Sequence, residues 1–227
     1  GGRGSMARLR MTYELGQKFG SDAFLTCHAQ AVIDHLNRVN PEHFAKEIEW
    51  FKTKQFENDL PGKNFFSSID SYSVSKNYKI LSSQFFIEVV CETDEYQTQR
   101  FTDKVAKPLA SGKPFLLLHG PGSLRNLREL GFVTFCDFID ESYDDCVIPA
   151  QRTRKIIQSL TQLYCDPNRQ EIINNMYRWA SHNAEIYQKV TTYIGHDGTP
   201  CNEFPRNSLC LPVFGCLGLL QGWGSFP

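Results

Sequence analysis

Residues Glu88 to Gly131 read EVVCETDEYQTQRFTDKVAKPLASGKPFLLLHGPGSLRNLRELG. This stretch alternates apolar runs with polar helix openings. Phe85, Phe86, Ile87, Val89 and Val90 form one apolar run, which ends at the carboxylate Glu92. A charged helix start follows at Arg100-Phe101-Thr102-Asp103-Lys104, and Gly112 supplies the stop. A second run, Phe115 to Leu118, leads into His119-Gly120-Pro121-Gly122-Ser123 and another helix, closed by Gly131. The order predicts strand 84–91, helix 98–111, strand 114–118 and helix 122–130. Apolar runs this short, separated by a helix, predict neighbouring parallel strands with both C-terminal ends on one edge of the sheet. That edge is where open α/β sheets bind ligands.

Working outward, residues 132–135 predict a further strand. Helix 150–164 follows, then a break at Asp166-Pro167-Asn168 and a long helix over 168–190. The apolar residues of that helix predict a buried set of Ile172, Ile173, Met176, Trp179, Ile186, Tyr187 and Val190. Toward the N-terminus, 7–19 predicts a helix ended by Gly20. Residues 23–28 read as a short strand or as the start of the next helix. Asn40-Pro41-Glu42 predicts a helix over 41–56, with Asn as cap and Pro at the first helical position. Residues 57–83 read as a long connection. The expected class is α/β: a Rossmann-like three-layer domain with a mostly parallel sheet, a helical N-terminal part and a long C-terminal helix.

Gly1–Ser5, ahead of Met6, read as a cloning remnant. Residues 6–195 read as a single α/β domain with its core at 80–145. Residues 196–227 carry no period, and read either as an irregular arm or as non-native sequence. The chain has 227 residues and a net charge of −1, so whole-chain electrostatics predict no nucleic-acid partner. No apolar segment reaches the roughly 20 residues of a membrane span, and no signal-type N-terminus is present, so the expected location is cytoplasmic. The eight cysteines show neither CxxC nor zinc-finger spacing and are expected to be reduced thiols. Cys27, Cys91 and Cys136 are expected in or beside apolar runs.

The chemistry concentrates in the opening stretch. A carboxylate at a strand end, Glu92, suits the hydroxyls of a ribose, or else caps the next turn. Arg100, Lys104 and Lys107 place cations at a helix start, where the positive end of the dipole favours a diphosphate. Gly120 and Gly122 allow close backbone approach, and the Ser123 hydroxyl is expected to cap the helix. The loop is neither GxGxxG nor a P-loop. The acidic run 137–145 opens a further reading, a metal-dependent hydrolase using Asp137, Asp140 and Asp144, although EF-hand spacing is absent. No nucleophile motif is present.

The pattern Glu92…Phe101-Thr102-Asp103-Lys104…Lys107-Pro108-Leu109-Ala110-Ser111-Gly112-Lys113-Pro114-Phe115…Gly120-Pro121 resembles the donor-binding half of fucosyltransferase-like (GT-B type) glycosyltransferases. It also resembles uncharacterised viral and bacterial proteins with the same core. The resemblance covers roughly residues 80–145. It implies a nucleotide-diphosphate sugar as donor, with Asp103 at the ribose, Lys104 at the diphosphate and Glu92 as the strand-end glutamate. It implies an unknown acceptor and no required metal or other cofactor. The family has Glu where this chain has Asp103, one methylene shorter. The family also has a second Rossmann-like half before the donor motif, and only about 80 residues precede it here. The expected function is therefore nucleotide-sugar binding, with sugar transfer or a non-catalytic nucleotide- or protein-binding module as the two continuations. His119 is the candidate base for transfer.

Overall fold

The computed structural model describes residues 6–25, 27, 29–54, 56, 82–92, 96 and 101–192, with only the backbone for Asp103 and 190–192. The chain divides into two compact units, Gly1–Ile69 and Asp70–Pro227.

The first unit is helical where described. Helix α1 spans Met6–Phe19 and runs into a 3-10 turn at Gly20–Asp22. Residues 23–25 carry no strand, and α2 covers Ala29–Val39. Helix α3 covers Ala45–Thr53. Its predicted start at Asn40 survives as a turn, since Asn40 Oδ1 accepts the His43 N–H at 3.0 Å. The core joins Leu9, Ile33, Leu36, Ile48, Phe51 and Phe56. Trp50 packs edge-on against Tyr13 and Phe51. Gly16 permits this approach, because a Cβ there would overlap the Trp50 ring.

The second unit is built on a parallel pair, β1 (Glu88–Cys91) and β2 (Phe115–Leu118), joined by α4 (Asp103–Ser111). Glu88 pairs with Phe115 and Cys91 with Leu118. The ladder extends one step at each end, from Glu88 N–H to Pro114 and from Glu92 N–H to Leu118. All four residues of β2 are buried, so it is covered on both faces. Helix α5 covers Ser123–Glu129 and α6 Pro149–Cys165, preceded by a 3-10 turn at Ser142–Asp145. Helix α7 covers Arg169–Thr192. The regular elements among the described residues are seven α-helices, two 3-10 turns and this two-stranded sheet, a mixed helix-and-strand architecture. No helix among them is long and apolar enough to cross a membrane.

Helix α4 packs on α7, and Gly112 makes the junction possible. It ends α4 at φ +62°, and a Cβ there would meet the Ala180 carbonyl at 3.3 Å. Three predicted elements of this unit differ from the sequence reading, the first being helix 98–111, which opens only at Asp103 after the Thr102 cap. Strand 84–91 begins only at Glu88, and Phe86 is 60 % exposed. Ser82 is instead helical and residues 83–84 form a turn, and the carbonyls of Ser82 and Phe85 are taken by the Lys113 ammonium. Residues 132–135 form no strand. Their side chains Phe132 and Phe135 are buried, but side chains satisfy the backbone between them. Asn183 bonds both the N–H (2.8 Å) and the carbonyl (3.0 Å) of Val133, and Glu141 accepts the Phe135 N–H. Along α7, Ile173 and Met176 are buried as expected, but Ala180 and Asn183 take the positions expected of Trp179 and Ile186.

Candidate functional site

The first half of the site is the junction between β1 and α4. Glu92 stands one residue beyond β1 and is 2 % exposed. Its carboxylate accepts the Thr102 N–H at 2.9 Å and the Thr102 hydroxyl at 2.6 Å. With its proton committed to Glu92, the Thr102 oxygen turns its lone pairs to the helix. It accepts the Lys104 N–H at 3.3 Å and so caps α4. The Lys104 ammonium lies 3.4 Å from the same oxygen and 4.0 Å from Glu92. Its side chain is one-third exposed, at 34 %. Glu92 is thus the buried support of the helix start, not a carboxylate presented to solvent. Lys104 carries the positive charge outward from it. Arg100 lies outside the described residues, and for Asp103 only the backbone, which opens α4, is described.

The second half is the loop after β2. His119 is 1 % exposed, with its ring against Phe101 at 5.8 Å and its carbonyl bound by the Arg152 guanidinium. Gly122, at φ +80°, is the cap residue of α5. Ser123, expected to cap, lies inside the helix and donates to the Gly120 carbonyl at 2.6 Å. The cap comes from Asp144. Its carboxylate accepts the N–H groups of Leu124 and Arg125 at 3.0 and 3.2 Å, and its carbonyl accepts Gly122 N–H at 2.8 Å. The helix start after the Gly120–Gly122 loop thus already holds a carboxylate of the same chain.

The acidic run has structural partners throughout. Glu141 accepts from Phe135 N–H, the Thr134 hydroxyl and Arg128. Burial, first among the causes, raises its carboxyl above the ordinary range despite these bonds. Asp140 accepts from the backbone and hydroxyl of Ser142, which lower its pKa. Asp145 faces Arg125 at 3.5 Å. Among the described residues no group of three or more His, Cys, Asp or Glu can hold a metal ion. The metal-dependent reading of Asp137, Asp140 and Asp144 therefore has no centre there: Asp144 is a helix cap and Asp140 holds the 3-10 turn.

Two buried cations escaped the sequence reading. Arg152 of α6 bridges the carbonyls of His119 and Cys146. Lys113, just after α4, bonds Ser82, Phe85 and Tyr177. Neither has a local signal, because the acceptors lie 6 to 64 residues away. A cavity of about 260 Å³ lies between the 136–140 turn, the end of α6 and the start of α7, lined by Phe138, Asp140, Leu163 and Ile172 among others. No protein-family model, no curated protein and no solved structure matches the chain.

Proposed function

We propose that the second unit is a nucleotide-diphosphate-binding module, with Lys104 and the start of α4 receiving the diphosphate of a nucleotide sugar. One observation carries the reading: the Lys104 ammonium stands part-exposed at the N-terminus of α4, anchored through Thr102 to the buried Glu92. Helix dipole and ammonium add at that point, which favours a dianionic group. The Glu–Thr–Asp–Lys resemblance to donor-binding halves of glycosyltransferases supports the same ligand class. The family's ribose contact falls to Asp103.

Binding is favoured over sugar transfer because the candidate base, His119, is enclosed and the α5 start is capped by Asp144. Thermal shift against nucleoside diphosphates and nucleotide sugars tests the proposal. A ligand at 100 times its Kd adds about 2.7 kcal/mol of stability. Lys104→Ala should weaken that binding by about 10- to 100-fold, the worth of a charge-assisted hydrogen bond, and Lys104→Arg should keep most of it. If no diphosphate raises the melting temperature, the module is not a nucleotide site. If a nucleotide sugar binds and is turned over to free diphosphate, the transferase continuation replaces the binding one.

A further inference from the structure

Lys113 sits between α4 and β2, and is 5 % exposed. Its ammonium donates to the Ser82 carbonyl at 2.5 Å, to the Phe85 carbonyl, and to the Tyr177 hydroxyl at 2.5 Å. The Phe85 and Tyr177 rings flank it at 4.7 and 5.1 Å. Three elements meet at one nitrogen: the turn that leads into β1, the start of β2 and the middle of α7. An ammonium has three donors, and here it has three acceptors. Two of those, the carbonyls, can only accept. The third is a hydroxyl, which can also donate.

That asymmetry has a chemical consequence. If the lysine loses a proton, two N–H groups remain for the two carbonyls, and the new lone pair faces Tyr177. The Tyr177 O–H can rotate to donate into it. No hydrogen bond is lost in either state. We propose that Lys113 and Tyr177 form a proton-adaptable clamp that fixes residues 82–85, and with them the lead-in to β1, against α7 in both charge states of the lysine. Burial pushes the Lys113 ammonium down to about 8, partly opposed by the charge of Glu88 on β1. Burial raises the Tyr177 phenol, so the hydroxyl keeps its proton through the range in which the lysine loses its own. Residues 82–85 contribute carbonyls and the Phe85 ring, β1 contributes Glu88, and α7 contributes Tyr177.

The sign of the pH effect follows. A lysine depressed in the folded chain leaves the unfolded chain with more bound protons between about 8 and about 10.5. Its stabilising contribution is fully present above the unfolded value and lost as pH falls through the folded one. The clamp is tested by lysine-selective NMR titration, with Lys113 assigned by its absence in Lys113→Met, together with hydrogen exchange of the 82–88 amides across the same pH range. In the unaltered protein Lys113 should titrate well below the other lysines, and protection of 82–88 should persist on both sides of the midpoint. Tyr177→Phe removes the third acceptor, so the ammonium is disfavoured. Its midpoint should fall by roughly one pH unit, and protection should drop only on the acid side. Lys113→Met should loosen 82–88 at every pH; should that variant not fold, Lys113→Arg makes the assignment. A Lys113 midpoint among the ordinary lysines, or one unmoved by Tyr177→Phe, overturns the proposal.

Discussion

Asp144 lies 20 residues from Leu124 and 19 from Arg125, and its carboxylate accepts from both of their amides. A residue this distant is invisible to any capping pattern, which looks one to three positions ahead of a helix. The local candidate was Ser123, and its hydroxyl turned instead to Gly120. The consequence is measurable. Asp144→Ala leaves two helix-start amides without an acceptor in a buried setting and should cost about 1–3 kcal/mol in chemical denaturation. Asp144→Asn keeps one acceptor oxygen and should lose less. Equal losses for the two variants would mean that the cap is not the carboxylate's contribution. Glu92 follows the same logic on the other loop. The sequence placed a carboxylate at the end of β1, and both oxygens of Glu92 accept hydrogen bonds from Thr102.

At the scale of elements, the segment 132–135 shows how a strand pattern can fold as something else. Its Phe132, Val133, Thr134 and Phe135 bury two aromatic rings, although three positions apart these would point to opposite faces of a strand. Among the described residues no strand pairs with it. Asn183, buried in the middle of α7, mimics a strand edge by giving Val133 one acceptor and one donor. Asn183→Ala should therefore destabilise the second unit by about 1–3 kcal/mol. Hydrogen exchange at Val133 should rise with it, while exchange at the paired Val90 should rise only as far as global stability falls. An unchanged Val133 amide would remove Asn183 from this role. The contrast with the helices is instructive. Those beginning at 123 and 149 and those ending at 19, 111 and 165 lie within one residue of the predicted limits, and the one beginning at 103 opens directly after its Thr102 cap, later than the predicted 98. Their limits depend on neighbours along the chain: Thr102 before α4, Gly112 after it, Pro149 at the first turn of α6. The strand limits depend on neighbours in space. Strand 84–91 lost its first half to a lysine that follows it by almost 30 residues, as the separation of Phe85 from Lys113 records.

At the scale of the whole chain, two units carry two separate sets of buried apolar residues, and the proposed binding edge and the Lys113 clamp both belong to the second. The near-neutral charge and a pI of about 6.7 give neither unit a long-range field to recruit a polyanion. Any anion recognition therefore rests on the placement of single cations such as Lys104. The cysteines read out the seating of the described chain in one experiment. Cys136 and Cys165 are exposed, whereas Cys27, Cys91 and Cys146 are part-buried, and all five are free thiols. The sequence reading placed Cys136 beside an apolar run; the apolar neighbours are buried and the thiol is not. Its reactivity is restrained by electrostatics instead. Partial burial first, then the charges of Glu141 and Asp137, raise its pKa and lower its thiolate fraction. Timed alkylation with iodoacetamide at neutral pH, mapped by peptide mass spectrometry, should then label Cys165 first, Cys136 next, and Cys27, Cys91 and Cys146 last. Unfolding in denaturant should erase the order. Cys91 pairs with Leu118 at the end of the parallel ladder, so labelling of Cys91 as fast as Cys165 would show that β1 does not stay seated on β2, and the edge that presents Glu92, Thr102 and Lys104 would lose its frame.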